Sequence, residues 1–165
     1  MTNTIELHKH KFAAWSASTA ARASPLCRFD VVTGIAVLES AGFTSEFSEP
    51  SSLPGPENID TEHLAWRDKL MVEASTRGIK NLTHGVAAKL ANTYLKVRFV
   101  CGGHHEHPNV GHLHPPIDRL LLDGLADENV GGFAKEWRRY RDWGWSNFSS
   151  EQYEQVISQI RLALR

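Results

Sequence analysis

Apolar residues recur along this chain at three- and four-residue intervals, and no stretch shows the alternation of a strand or the two-residue turn of a hairpin. The pattern predicts an all-α protein, one domain over residues 1–165 with six to eight helices. A first helix over residues 5–22 places Leu7, Phe12, Trp15 and Thr19 near one face, has an alanine-rich flank suited to close packing, and stops at Pro25. A second opens after Asp30 as N-cap, carries Val31, Ile35 and Leu38, and ends at Gly42. Residues 43–59, with three prolines and no period, read as a surface connection. A third helix starts near Asp60 or Thr61 and carries Leu64, Leu70, Met71 and Ala74 up to Gly78.

The fourth helix, residues 83–100, presents Val86, Leu90, Tyr94 and Val97 on one stripe and Ala91, Leu95 and Phe99 on the next, a face that must be buried. Lys89, Asn92, Thr93 and Lys96 share its opposite side. Residues 101–116 form a histidine-, glycine- and proline-rich loop. Asp118 then caps a fifth helix, flanked by Ile117 and Leu122 as a hydrophobic staple. A sixth helix falls near residues 131–141, and a last one follows a capping box at Ser149 and Gln152, with Tyr153, Val156, Ile157, Ile160 and Ala163 apolar.

With 165 residues, 41% hydrophobic and 22% charged, the chain can bury a sizeable core, which excludes a disordered chain. No run is long enough to span a bilayer, and the start at Met1-Thr2-Asn3-Thr4 lacks a secretory pattern, so the expectation is a cytoplasmic protein with no membrane partner. Cys27 and Cys101 stand apart and read as reduced, buried thiols rather than a disulfide framework. The net charge of −1 hides a segregation: residues 39–75 carry −6, whereas residues 76–100 carry +5 with no carboxylate. Arg77, Lys80, Lys89, Lys96 and Arg98 make up that block, where a phosphate or an acidic protein partner would approach. Oligomeric state is not encoded in any pattern here.

The most specific local pattern is Gly85-Val86-Ala87-Ala88-Lys89-Leu90-Ala91-Asn92, followed after the loop by Pro116-Ile117-Asp118-Arg119-Leu120-Leu121-Leu122. Over about residues 82–122 it resembles the helix-hairpin-helix base-excision DNA glycosylase/lyase superfamily, in which a glycine hairpin precedes a lysine and a later aspartate caps a helix. The resemblance implies that Lys89 is an amine nucleophile and Asp118 its carboxylate partner, with Gly85, Lys80, Lys96 and Arg98 toward DNA. Ala87 stands where the family has its second hairpin glycine, His84 stands before Gly85, and no four-cysteine cluster is present. Capped by Thr83 or Asn81, residues 82–88 equally fit the first turn of an unbroken helix, with Lys89 on a solvated face and Asp118 a plain cap. The chemistry wants both groups: a carboxylate stabilises the oxocarbenium that forms as a base departs, and an amine attacking the same carbon gives a Schiff base. Such a lysine must first lose its proton, and Lys96 and Arg98 are cations placed to help. A base held in duplex would have to be flipped out to reach them.

Two further constellations remain. Five of the nine histidines lie within residues 104–114, and His104, His107, His112 and His114, near Cys101, have the donor types for zinc, although no cofactor is required and the spacing fits no standard zinc module. A solvated loop is the other reading. The segment from Trp137 to Phe148 interleaves aromatics with arginines and suits either base stacking or ordinary core, and helical spacing favours core. His63 stands alone on the third helix and is assigned no role. The second functional reading is a non-enzymatic helical interaction protein with a histidine-rich loop.

Overall fold

The computed structural model describes residues 4–24, 27–45 and 47–165; Met1 to Asn3 and the expected stop at Pro25 lie outside them. Among the described residues there are seven α-helices and no strand: α1 (Ile5–Ala21), α2 (Val31–Ser40), α3 (Ile59–Thr76), α4 (His84–Leu95), α5 (Arg119–Asp127), α6 (Ala134–Trp143) and α7 (Ser150–Ala163). Local chemistry sets most of the boundaries. Asp30 accepts from the Thr33 amide at 2.7 Å, Asp118 from Leu121 at 2.8 Å, and Ser149 and Gln152 close a reciprocal capping box. Gly42, at φ 102°, takes the left-handed turn that ends α2. The third helix opens at Ile59, next to the expected start near Asp60 or Thr61, without a side-chain cap, and Asp60 accepts from Arg161.

Helix α4 is the axis of the molecule. Ten of its twelve residues are buried, including Lys89 and Asn92 on the side expected to be polar. One hydrophobic cluster gathers α1 to α4 around Leu38, Phe43, Leu70, Tyr94 and Phe99; a second gathers α5 to α7 around Leu122, Trp137, Tyr140 and Phe148. Ala88 joins the second cluster while Ala87 and Ala91 belong to the first, so the two meet on α4.

Three expectations change. The buried face of α1 is Ala13, Ala14, Ala17 and Ala21 with His10 and Ser18, because small side chains let α1 lie close on α4; Phe12 and Trp15 face outward, 60% and 50% exposed. The 43–59 connection is not merely superficial, since Phe43 and Leu53 are buried against the first cluster. Of the two free cysteines only Cys27 is buried, where desolvation pushes its thiol pKa up; Cys101 is exposed. The helical run beyond α4 continues, as a π-helical segment from Lys96 to His104.

Candidate functional site

Residues 82–88 form no hairpin. Thr83 caps α4 by accepting from the Val86 amide at 3.2 Å, and the helix runs unbroken from His84. Gly85 is needed for packing: a Cβ there would stand 1.8 Å from the Trp145 carbonyl oxygen, and its own N–H donates to the Phe148 carbonyl at 3.2 Å. The Thr83 hydroxyl donates to the Ser146 carbonyl at 2.8 Å. The α4 N-terminus is therefore covered by residues 145–148, and the amides of Gly85, Val86 and Ala87 are engaged within the protein.

Lys89 lies one turn further along α4. Its Nζ donates to Asp118 Oδ2 at 2.7 Å, across 29 positions of sequence, while Asp118 Oδ1 caps α5. The lysine side chain is 8% exposed and the aspartate 35%, so the cation is enclosed and the carboxylate faces solvent at one edge. Burial raises the Asp118 pKa, but the Lys89 ammonium and the Leu121 amide outweigh it and hold the carboxyl below its ordinary range. The Trp145 ring lies 5.7 Å from the amine, within cation–π range.

Three residues on from Lys89, Asn92 opens a buried polar chain that sequence reasoning missed. Its Nδ2 donates to the Pro115 carbonyl at 3.0 Å and to the Tyr153 hydroxyl at 2.9 Å. A carbonyl can only accept, so this contact fixes the amide orientation, and Asn92 Oδ1 receives the His63 Nε2 proton at 2.6 Å. Tyr153 then donates to His114 Nδ1 at 3.0 Å, and His114 Nε2–H donates to Asp60 at 2.9 Å. The Asp60 carboxylate is held in turn by two bonds from Arg161, at 2.6 and 2.7 Å. Arg67 packs over the Tyr153 ring at 4.6 Å and pairs with Glu154 at 2.9 Å. Burial is the main force keeping both imidazoles neutral: the His114 pKa falls to about 4 despite Asp60, and that of His63 falls well below its ordinary value. Two polar atoms in this region, His63 Nδ1 and Arg67 Nε, have no protein partner. The signal was present: His63 and Arg67 occupy the same helical stripe as Leu70 and Ala74, where polar residues need partners.

The basic block does not form a common surface. Arg98 is buried, pairing with the Glu6 carboxylate at 2.8 Å and donating to the carbonyls of Glu6, Ser45 and Phe47; it ties down α1 and the chain after α2 and cannot reach a phosphate. Arg77 pairs with Glu73, and Lys89 is enclosed with Asp118. Lys80 and Lys96 remain exposed.

The histidine loop does not converge either. His114 leaves it for the polar chain, His107 accepts from the Asn109 amide at 3.2 Å, and His104 lies against Phe99. Among the described residues no group of three or more His, Cys, Asp or Glu is placed to hold a metal ion, His104, His107, His112 and His114 included. Of the Trp137–Phe148 segment, Trp137, Tyr140 and Phe148 are core, and no described helix is long and apolar enough to cross a membrane. The chain matches no protein-family model, no curated protein and no solved structure.

Proposed function

We propose that this protein acts on nucleic acid in the manner of the base-excision glycosylase/lyases, with Lys89 as the amine nucleophile and Asp118 as its carboxylate partner. The observation that carries the reading is the 2.7 Å approach of an enclosed ammonium and a solvent-edge carboxylate. In the proposed reaction the amine attacks C1′ as the bond from C1′ to the base breaks. The base leaves with the bonding pair and takes up a proton; the C1′–O4′ bond then breaks as the C1′=N Schiff base forms, O4′ takes up a proton to become the ring-opened hydroxyl, and the protons lost by the nitrogen pass to water. Asp118, held ionised, stabilises the positive charge that develops on the sugar. Trp145 offers a ring face beside the amine on which a planar group can stack.

Borohydride trapping on duplexes carrying abasic or oxidised sites tests this directly. The wild-type protein should give a covalent adduct, Lys89→Ala none, and Asp118→Asn an adduct formed at least about tenfold more slowly, as for loss of one electrostatic stabiliser. Trapping of Lys89→Ala at the wild-type rate would sink the assignment. A second reading, a helical interaction protein, is favoured by one observation, the outward-facing Phe12 and Trp15 rings stacked at 6.1 Å on α1.

A further inference from the structure

Among the described residues, side-chain hydrogen bonds cross from α4 to the 113–118 segment at two points: Lys89 to Asp118 at 2.7 Å and Asn92 to the Pro115 carbonyl at 3.0 Å. The donors stand three residues apart on α4, which puts them on one face, and the acceptors stand three residues apart on the segment. The pair by itself does not fix Asp118 against Lys89. The α5 cap ties the Asp118 carboxylate to its own helix, and nothing in that bond sets the distance from α5 to α4. Ile117 and Ala88 belong to one apolar cluster, but apolar contact is non-directional. The Asn92 bond has a length and a direction.

Asn92 is suited to hold that distance because it has no freedom of its own. It is fully buried; both amide hydrogens are engaged, on Pro115 and on the Tyr153 hydroxyl at 2.9 Å, and its oxygen accepts from His63 at 2.6 Å. The hold is passed on stiffly. Pro116 has a fixed φ and restricts the residue before it, and the buried Ile117 comes next, directly before Asp118.

Resting on the catalytic reading above, we propose that Asn92 is a positioning residue: through Pro115 it sets the place of the Asp118 carboxylate beside the Lys89 amine. A carboxylate stabilises developing charge best when it is already in place, and a displacement of about 1 Å can cost about a hundredfold in rate. Because Asn92 acts through Asp118, removing it costs no more than removing that carboxylate, and nothing once the carboxylate is gone.

Borohydride trapping rates and the nitrogen NMR signal of the Lys89 ammonium at neutral pH, assigned by its absence in Lys89→Ala, test this together. Asn92→Leu should slow trapping about tenfold and shift or broaden the Lys89 signal. Combined with Asp118→Asn it should add no further slowing, whereas a merely structural role would multiply the two losses. Pro116→Gly, which loosens the link without touching the buried chain, should act in the same direction and carries the test if melts show Asn92→Leu unfolded. Tyr153→Phe cuts the other amide bond of Asn92 and keeps the one to Pro115, so its trapping rate and Lys89 signal should match wild type. Wild-type trapping in the folded variants, losses that multiply with Asp118→Asn, or an equal loss in Tyr153→Phe overturns the positioning role. Absence of any adduct with the wild-type protein overturns the catalytic assignment alone, and the Lys89 signal then decides for or against the hold by Asn92.

Discussion

At the scale of single residues, the Lys89–Asp118 pair is asymmetric, and the asymmetry is measurable. Removing the carboxylate leaves an ammonium enclosed with nothing to balance it, and it also removes the α5 cap. Asp118→Ala should therefore destabilise by about 3–5 kcal/mol, the cost of breaking a buried pair. Lys89→Met keeps the volume and leaves Asp118 with its Leu121 amide and an open edge to water, so its cost should stay under about 1.5 kcal/mol. Urea midpoints of the two variants at unchanged m check the ordering, and equal losses would mean that the lysine is better solvated than its burial indicates. Lys89 also shows where a linear reading of charge goes astray. A lysine on the polar side of an amphipathic helix is expected in water, and here that side is covered by a second layer of helices.

At the scale of elements, α1 and α4 set the pattern. Where they meet, both contribute buried alanines to one cluster, Ala13, Ala14 and Ala17 from α1 and Ala87 and Ala91 from α4. Ala17→Leu adds three carbons where there is no room, and should cost about 1–3 kcal/mol by overpacking. Phe12→Ser with Trp15→Ser removes two large rings from water and should change stability by less than about 0.5 kcal/mol. Thermal melts of the two proteins should thus invert the ranking that side-chain size suggests; a large loss in the double variant would place those rings in a contact absent from the monomer. The helix ends were legible beforehand at Asp30, Gly42, Asp118 and Ser149, because caps and left-handed turns depend only on near neighbours. Which face of α1 is buried was not legible, since the partner is an alanine stripe rather than a hydrophobic pocket.

At the scale of the whole molecule, the chain from Asp60 through His114, Tyr153 and Asn92 to His63 ties α3, α4, α7 and the 114–118 segment together. His63 and His114 fold in the neutral form, facing Asp60, Arg67, Arg161 and Tyr153. Unfolding returns both to ordinary imidazoles, so the unfolded chain binds protons first as pH falls below about 6.5. Stability is full above that value and is lost on acidification, by about 3 kcal/mol from His114 alone by the time pH reaches its folded pKa of about 4. Asp60, held low mainly by its bond from Arg161, adds a further loss only below the ordinary carboxylate range. Urea unfolding from pH 7.5 to 4.5 should show this slope in the wild-type protein and a shallower one in His114→Gln. A flat profile would mean that the imidazoles are reached by water in the native state.

The sequence by itself determined the helical class, nearly every helix boundary, and the caps at Asp30, Asp118 and Ser149. These rest on periodicity and short-range hydrogen bonding, which a linear string carries in full. Only the tertiary structure decided that Lys89 and Asn92 are enclosed, that Gly85 serves close packing, that Arg98 is spent on carbonyls, and that His114 leaves its loop for a chain including His63. Burial and long-range pairing depend on which surfaces a helix meets, and that follows from the packing of all seven helices together rather than from any one stretch of residues.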